Sequence, residues 1–208
     1  LALSEQQLFR LLSVFAGGCT LQAIETIATS ARAGGINVLD GLSVLVENNL
    51  VRQVEQPDGE PRLLLLETIR EYGLECLADT GELEAAQAAH AAYYLALAEE
   101  AEPHLRGSER ARWMAQMERE QENLRAALSF LLEQAHSQTG TPQGALQSER
   151  ALRLCVALSR LWYVRGYARE GQVFLERALA RREGVATPLR ARALYEAADL
   201  ASALDDVE

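Results

Sequence analysis

The 208-residue chain contains no lysine; all 20 basic residues are arginine, set against 30 acidic ones for a net charge of −10. The shortage of positive charge is uneven. Residues 1–80 carry five Arg against eleven acids, a balance of −6, and residues 81–137 carry five against ten, −5. The remainder is near neutral, with ten against nine. Nucleic-acid binding rests mainly on neutralising phosphates, so the first two-thirds of the chain would repel a polyanion. Cysteine is also scarce. Cys19, Cys76 and Cys155 stand far apart among apolar neighbours, with no C-x-x-C and no Cys/His pair. That excludes a disulfide framework and a zinc knuckle, and reads as buried thiols in a reducing compartment. No apolar run approaches the ~20 residues of a membrane helix, and no signal peptide is visible. Phosphate loops of the G-x-x-x-x-G-K-[ST] and G-x-G-x-x-G kinds are missing, as are G-x-S-x-G and H-E-x-x-H. Glu99, Glu100 and Glu102 do not share a helix face as a catalytic pair would. No enzymatic activity, metal or cofactor is expected of these residues.

Hydrophobic residues make up 49% of the sequence, enough for a substantial core. The stretch Leu63–Leu77 organises the rest: an apolar run ends at Leu66, and from Ile69 the apolar positions (Ile69, Tyr72, Gly73, Cys76, Leu77) follow a helical rhythm. It reads as a strand feeding a helix. Upstream, Ser4 and Gln7 suggest a capping box, with Leu3 and Leu8 as a hydrophobic staple. The helix they open turns Leu8, Leu11, Leu12 and Phe15 inward and stops at Gly17-Gly18. A second helix runs from about Leu21 to Ser30, before a break at Gly34-Gly35. Asn37 caps a third, with Asp40 near its positive end and Val38, Leu42, Leu45 and Val46 inward, ending at an αL stop near Asn48-Asn49. Leu50–Gln56 and Arg62–Leu66 pair as a hairpin across the turn Pro57-Asp58-Gly59-Glu60. Three helices, a β-hairpin wing and a further helix make a winged-helix domain over residues 1–80. In DNA-reading folds of this kind the third helix enters the major groove. Here Asn37–Asn49 holds no basic residue but holds Asp40 and Glu47, and the wing sets Arg52 and Arg62 against Glu55, Asp58 and Glu60. That sign predicts contact with protein.

Residues 81–208 read as helix throughout. Glu82–Glu102 is a long amphipathic helix in which His90 is a packing residue, and Pro103 ends it. Ser108 caps the next, carrying Trp113, Met114 and Met117, and the pattern continues through Leu124–Leu132 after a bend near Glu118–Glu122. His136–Gln147, rich in Gly, Pro, Ser, Thr and Gln, is expected to be a mobile loop. Helices follow over Ser148–Arg165, ended by Gly166, and Tyr167–Arg182; a last one opens at Thr187-Pro188. Small residues (Ser159, Gly171, Ala178) alternate with large ones (Leu158, Trp162, Leu175), an order that matches the tetratricopeptide pattern of ~34 residues. The next such small residue, Ala198, lies 39 residues after Ser159, so the connecting loop would be long. Such an array presents a concave face, on which Tyr163, Arg165 and Tyr167 are the candidate partner-contact residues.

Several stretches carry a family resemblance. They are L-F-R-L-L-S-V-F-A-G-G from Leu8, L-D-G-L-S-V-L-V-E-N-N-L-V-R from Leu39, L-L-E-T-I-R-E-Y-G-L-E-C-L from Leu65, H-A-A-Y-Y-L-A-L-A-E-E-A-E-P from His90, E-N-L-R-A-A-L from Glu122 and L-W-Y-V-R-G-Y from Leu161. In this order they resemble the middle of bacterial STAND-type regulatory ATPases, including large LuxR-type and AfsR-like transcriptional regulators. The resemblance implies a parent with an upstream nucleotide-binding core that cycles between ADP and ATP and can oligomerise when activated. This chain, which starts without Met and stops within a helical pattern, would be a piece of it: a winged helix followed by tetratricopeptide-like helices that relay effector or partner binding to the ATPase core. The implied partners are the parent's own nucleotide-binding domain and an effector protein or small ligand, in the cytoplasm, without membrane and without nucleic acid at this segment. In many relatives a Met-His-Asp-like triplet opens the fourth helix and its His touches the ADP phosphate. The matching positions are Leu65, Leu66 and Glu67, and Leu66 cannot make that bond. The competing expectation is a DNA-binding winged-helix transcription factor.

Overall fold

A computed structural model describes residues 1–31, 37–56, 59–180 and 187–205. The Gly34-Gly35 break, the Pro57-Asp58 half of the expected turn and the helix end at Arg182 lie outside them. The protein is mainly helical with a two-stranded antiparallel sheet, and it divides into two compact units, Leu1–Tyr93 and Tyr94–Glu208.

The first unit is the winged helix: α1 (Leu3–Leu12), α2 (Leu21–Ser30), α3 (Val38–Glu47), strands β1 (Val51–Glu55) and β2 (Pro61–Leu65), α4 (Glu67–Asp79) and the beginning of α5 (Leu83–Ala101). Local chemistry sets most of these ends. The Thr20 hydroxyl accepts from the Ala23 N–H at 3.2 Å and the Asn37 side chain from the Asp40 N–H at 3.3 Å, so α2 and α3 start on capped donors. Asn49 adopts φ 57°, the left-handed stop expected after α3. The start of α1 differs from expectation. Its N-cap is Ala2, whose N–H donates to the Glu5 carboxylate at 2.6 Å, and Leu3 is 80% exposed, so neither the Ser4 box nor the staple forms. A carboxylate is the stronger acceptor at a helix N-terminus and claims the register.

The core of this unit is Leu8 and Leu12 from α1, Ile24 and Ile27 from α2, and Leu45 from α3, all fully buried. Each contributes roughly 1.5–3 kcal/mol by leaving water. The hairpin pairs Val51 with Leu65 through Glu55 with Pro61, and Cys19 adds a bridge to Leu63, its N–H and C=O both exchanged at 2.9 Å. α1 and α4 cross where Gly73 meets Ser13: a Cβ at Gly73 would come within 1.8 Å of Ser13 Oγ. Tyr72, one of the apolar positions in the helical rhythm of α4, faces out, 60% exposed. His90 packs edge-on against Phe15 at 5.5 Å and is buried, the packing role read from sequence.

The second unit continues α5 into a 3-10 turn (Glu102–Arg106), then α6 (Arg110–Arg119), α7 (Gln121–Ser137), α8 (Pro142–Arg165), α9 (Ala168–Leu179) and α10 (Thr187–Asp205). The expected loop at His136–Gln147 is corrected: only Gln138–Thr141 separates α7 from α8. Thr141 accepts from the Gly144 N–H at 3.0 Å and Pro142 occupies the first turn, the same Thr-Pro signal recognised at Thr187-Pro188. The Gly, Pro, Ser, Thr and Gln content of the stretch reads as loop, but the Thr141 cap and Pro142 start a helix through it. The bend near Glu118–Glu122 is the junction of α6 and α7 at Glu120, whose carboxylate is buried and accepts from Tyr94 (3.0 Å) and Asn123 (2.8 Å). Gly166 ends α8 with φ +76°, as expected.

α7 to α10 pack in succession, and α10 also packs on α8. Gly171 lets α9 approach: a Cβ there would meet Trp162 at 2.5 Å and Leu200 at 2.8 Å. Trp162 stacks on Phe174 with centroids 6.1 Å apart. Ser159, Trp162, Leu175 and Ala178 are all buried, whereas Ala198 is exposed and Ala193, Glu196 and Leu200 form the buried stripe of α10.

Candidate protein-interaction surfaces

The outer face of α3 decides what the winged helix can grip. Leu42 and Leu45 point inward and Gly41 sits under Leu8. Leu39 (56% exposed), Ser43 and Val46 (36% exposed) point outward at helical spacing, flanked by Asp40 and Glu47. Val46 was expected in the core. With Leu42 and Leu45 already filling the inner stripe, the helical period places it outside. The face offered is therefore apolar and acidic, with no cation on α3.

Three of the described arginines of the first unit, Arg62, Arg10 and Arg70, are used internally. Arg62, counted from sequence as a wing cation, is buried to 6% exposure; its Nε donates to the Gly17 carbonyl at 2.9 Å and its Nη2 to the Gly18 carbonyl at 3.0 Å. Arg10 pairs with Glu82 at 3.0 Å. Arg70 pairs with Glu67 at 2.6 Å and reaches the Ser13 carbonyl at 3.4 Å. The hydrogen bond with Glu67 raises the Arg70 pKa and lowers that of Glu67. Among the described arginines of the unit this leaves Arg52, exposed on β1.

At the start of α4, Leu66 is the N-cap, 45% exposed, and makes no side-chain cap bond. The next residue is the anionic Glu67. A hydrocarbon followed by a carboxylate does not fit a nucleotide phosphate, so the contact that the resemblance would imply at this position is not supported by the residues present.

In the second unit the three candidate contact residues have separate neighbours. Tyr163 is 43% exposed, with the Arg160 guanidinium 5.3 Å from its ring centroid. Arg165 pairs with Glu118 of α6 at 2.8 Å. Tyr167 lies under Arg125 at 5.9 Å, and Arg125 in turn forks onto Glu170 at 2.5 and 2.6 Å. That hydrogen bonding raises the Arg125 pKa. Sequence reasoning missed the burial of Arg62 and a charged cavity around Arg160 and Glu196; both depend on contacts distant in the chain, and no local pattern signals them. Among the described residues no group of three or more His, Cys, Asp or Glu could hold a metal ion, and no helix is long and apolar enough to cross a membrane.

The fold and the sequence define a class. Residues 1–78 match the winged helix-turn-helix domain model and form such a domain. Over 203 residues, 96% of this chain, the sequence is 36% identical to "Putative HTH-type transcriptional regulator Rv0890c" of Mycobacterium tuberculosis (strain ATCC 25618 / H37Rv) and equally to "Putative HTH-type transcriptional regulator Mb0914c" of Mycobacterium bovis. Both relatives are described by name as putative HTH-type transcriptional regulators. The chain spans about a fifth of the length of these relatives, 21% of each. No solved structure matches it significantly.

Proposed function

We propose that the chain is a non-catalytic regulatory segment of a STAND-type, ATPase-containing transcription regulator, in which the winged helix works by contact with protein. Its partner is the parent's own nucleotide-binding domain. The helices of the second unit act as a tetratricopeptide-like array that receives an effector protein or small ligand and relays its binding. ATP or ADP belongs to the upstream domain, the chain itself carries no cofactor, and the setting is cytoplasmic. Tyr163, with its exposed ring, is the leading contact residue on the array; Arg165 and Tyr167 accompany it.

The observation that carries this reading is the outer face of α3, where Leu39, Ser43 and Val46 stand between Asp40 and Glu47 without a cation. Neutralising phosphates supplies much of the affinity of a DNA-reading helix, and this face has no cation to do it with. The second reading, a DNA-binding winged helix, is favoured by the matched domain model and by the relatives' printed names.

Because the chain has no lysine, amine-reactive reagents report little from it. The test is a photo-crosslinking residue placed at Ser43 in the full-length parent. Crosslinks from Ser43 to the nucleotide-binding domain uphold the proposal; crosslinks to promoter DNA overturn it.

A further inference from the structure

A cavity of about 440 Å³ opens in the second unit between the 3-10 turn, α8 and α10. Its volume lies within the range of small-molecule sites. Its charged lining is Glu102 and Arg106 from the turn, Arg160 from α8, and Arg192 and Glu196 from α10. Glu102 and Arg192 pair with each other and so neutralise one another.

Two of the remaining groups, Glu196 and Arg160, are drawn in from bulk water and face this cavity. Glu196 is 6% exposed, and among the described residues no hydrogen bond or ion pair is found for it. Arg160 Nε is buried with no hydrogen-bond partner, while its guanidinium lies over Tyr163. A buried carboxylate and a buried guanidinium N–H without hydrogen bonds are costly to leave so. Groups of opposite sign lining one cavity describe the complement of a ligand.

We infer that this cavity binds a small amino dicarboxylate, an aspartate- or glutamate-like zwitterion. After the internal pair is set aside, the site presents two cations, Arg106 and Arg160, and one anion, Glu196. The matching ligand carries two carboxylates and one ammonium. Arg160 offers a carboxylate its planar donor fork, Arg106 at the rim takes the second, and Glu196 receives the ammonium. Pro103 and Val156 supply apolar wall for the short carbon chain between them. The ligand's role as effector rests on the sensor reading above; its binding does not.

The test is calorimetric titration of the 208-residue chain with L-glutamate, glutarate and L-glutamine at matched ionic strength. L-Glutamate is expected to bind with a Kd of about 1 mM or tighter, and glutarate and L-glutamine each about tenfold more weakly. Glu196→Gln abolishes the preference for L-glutamate over glutarate, and Arg160→Gln weakens both, in variants whose helical circular dichroism and melting show an intact fold. No heat with ~10 mM L-glutamate, or a preference over glutarate that survives Glu196→Gln, overturns the inference. Binding with the expected pattern upholds the site even where Ser43 crosslinks to DNA, so the two proposals fail separately.

Discussion

Arg62 Nε donates to the carbonyl of Gly17 at 2.9 Å. A cation that the wing's sequence offers to a phosphate is thus spent on closing the bend after α1. Hydrogen bonds to charged groups contribute roughly 1.5–3 kcal/mol each, and Arg62 makes a second with the Gly18 carbonyl. Arg62→Met leaves those carbonyls unsatisfied and is expected to lower stability by about 2–4 kcal/mol, read as a fall in the urea midpoint with unchanged slope. An unaltered midpoint would show that these bonds do not hold the bend.

Gly73→Ala places a methyl group 1.8 Å from Ser13 Oγ. The expected cost is about 1–3 kcal/mol. The partner change Ser13→Gly removes both contacting atoms, so the double variant should recover much of the loss. A double-mutant cycle measures this, and additive losses would contradict the crossing described.

Gly171→Ala forces the same choice between α8, α9 and α10, with Trp162 and Leu200 inside 3 Å of the new atom. A loss of about 1–3 kcal/mol is expected, together with a change in tryptophan fluorescence as Trp162 shifts from Phe174.

Much of this architecture was legible in local sequence, because caps and stops are local devices. Asn37, Asn49 and Gly166 announce their roles through side-chain geometry and backbone freedom alone. The same locality misled at His136–Gln147, where composition outweighed a Thr141-Pro142 start. What stayed hidden was long-range. Arg62 reaches carbonyls 44 and 45 residues away, and Glu196, Arg160 and Arg106 come to line one cavity only once α8, α10 and the 3-10 turn have packed. The position of Val46 lies between these cases: the helical period was visible, but not which arc of it the core would occupy.

The cysteines should separate by burial. Desolvation raises the Cys155 thiol pKa, and Cys19 is also buried, whereas Cys76 is half-buried on α4. Brief treatment of the native chain with iodoacetamide is expected to label Cys76 alone by mass spectrometry, since only thiolate reacts. Labelling of Cys155 at a comparable rate would contradict the packing around α8.

Acid should reveal the Glu67–Arg70 pair. The Arg70 hydrogen bond holds the Glu67 carboxyl below its ordinary value of 4.5. A depressed folded pKa stabilises above the unfolded value and is lost as pH falls through the folded one. Glu67 is largely solvated, so Glu67→Gln is expected to cost no more than about 0.5 kcal/mol at pH 7. That difference should shrink as pH falls below 4.5 and vanish once pH passes below the lowered folded pKa, as followed by thermal melts across pH.

The charge on α3 is tested most directly by electrophoretic mobility shift of the chain with promoter DNA at about 50 mM salt, where phosphate contacts are strongest. The account predicts no retardation at protein concentrations up to ~100 μM, the weak end of ordinary non-specific binding. A shift that fades steeply as salt rises, and that is lost in Arg52→Glu, would contradict it.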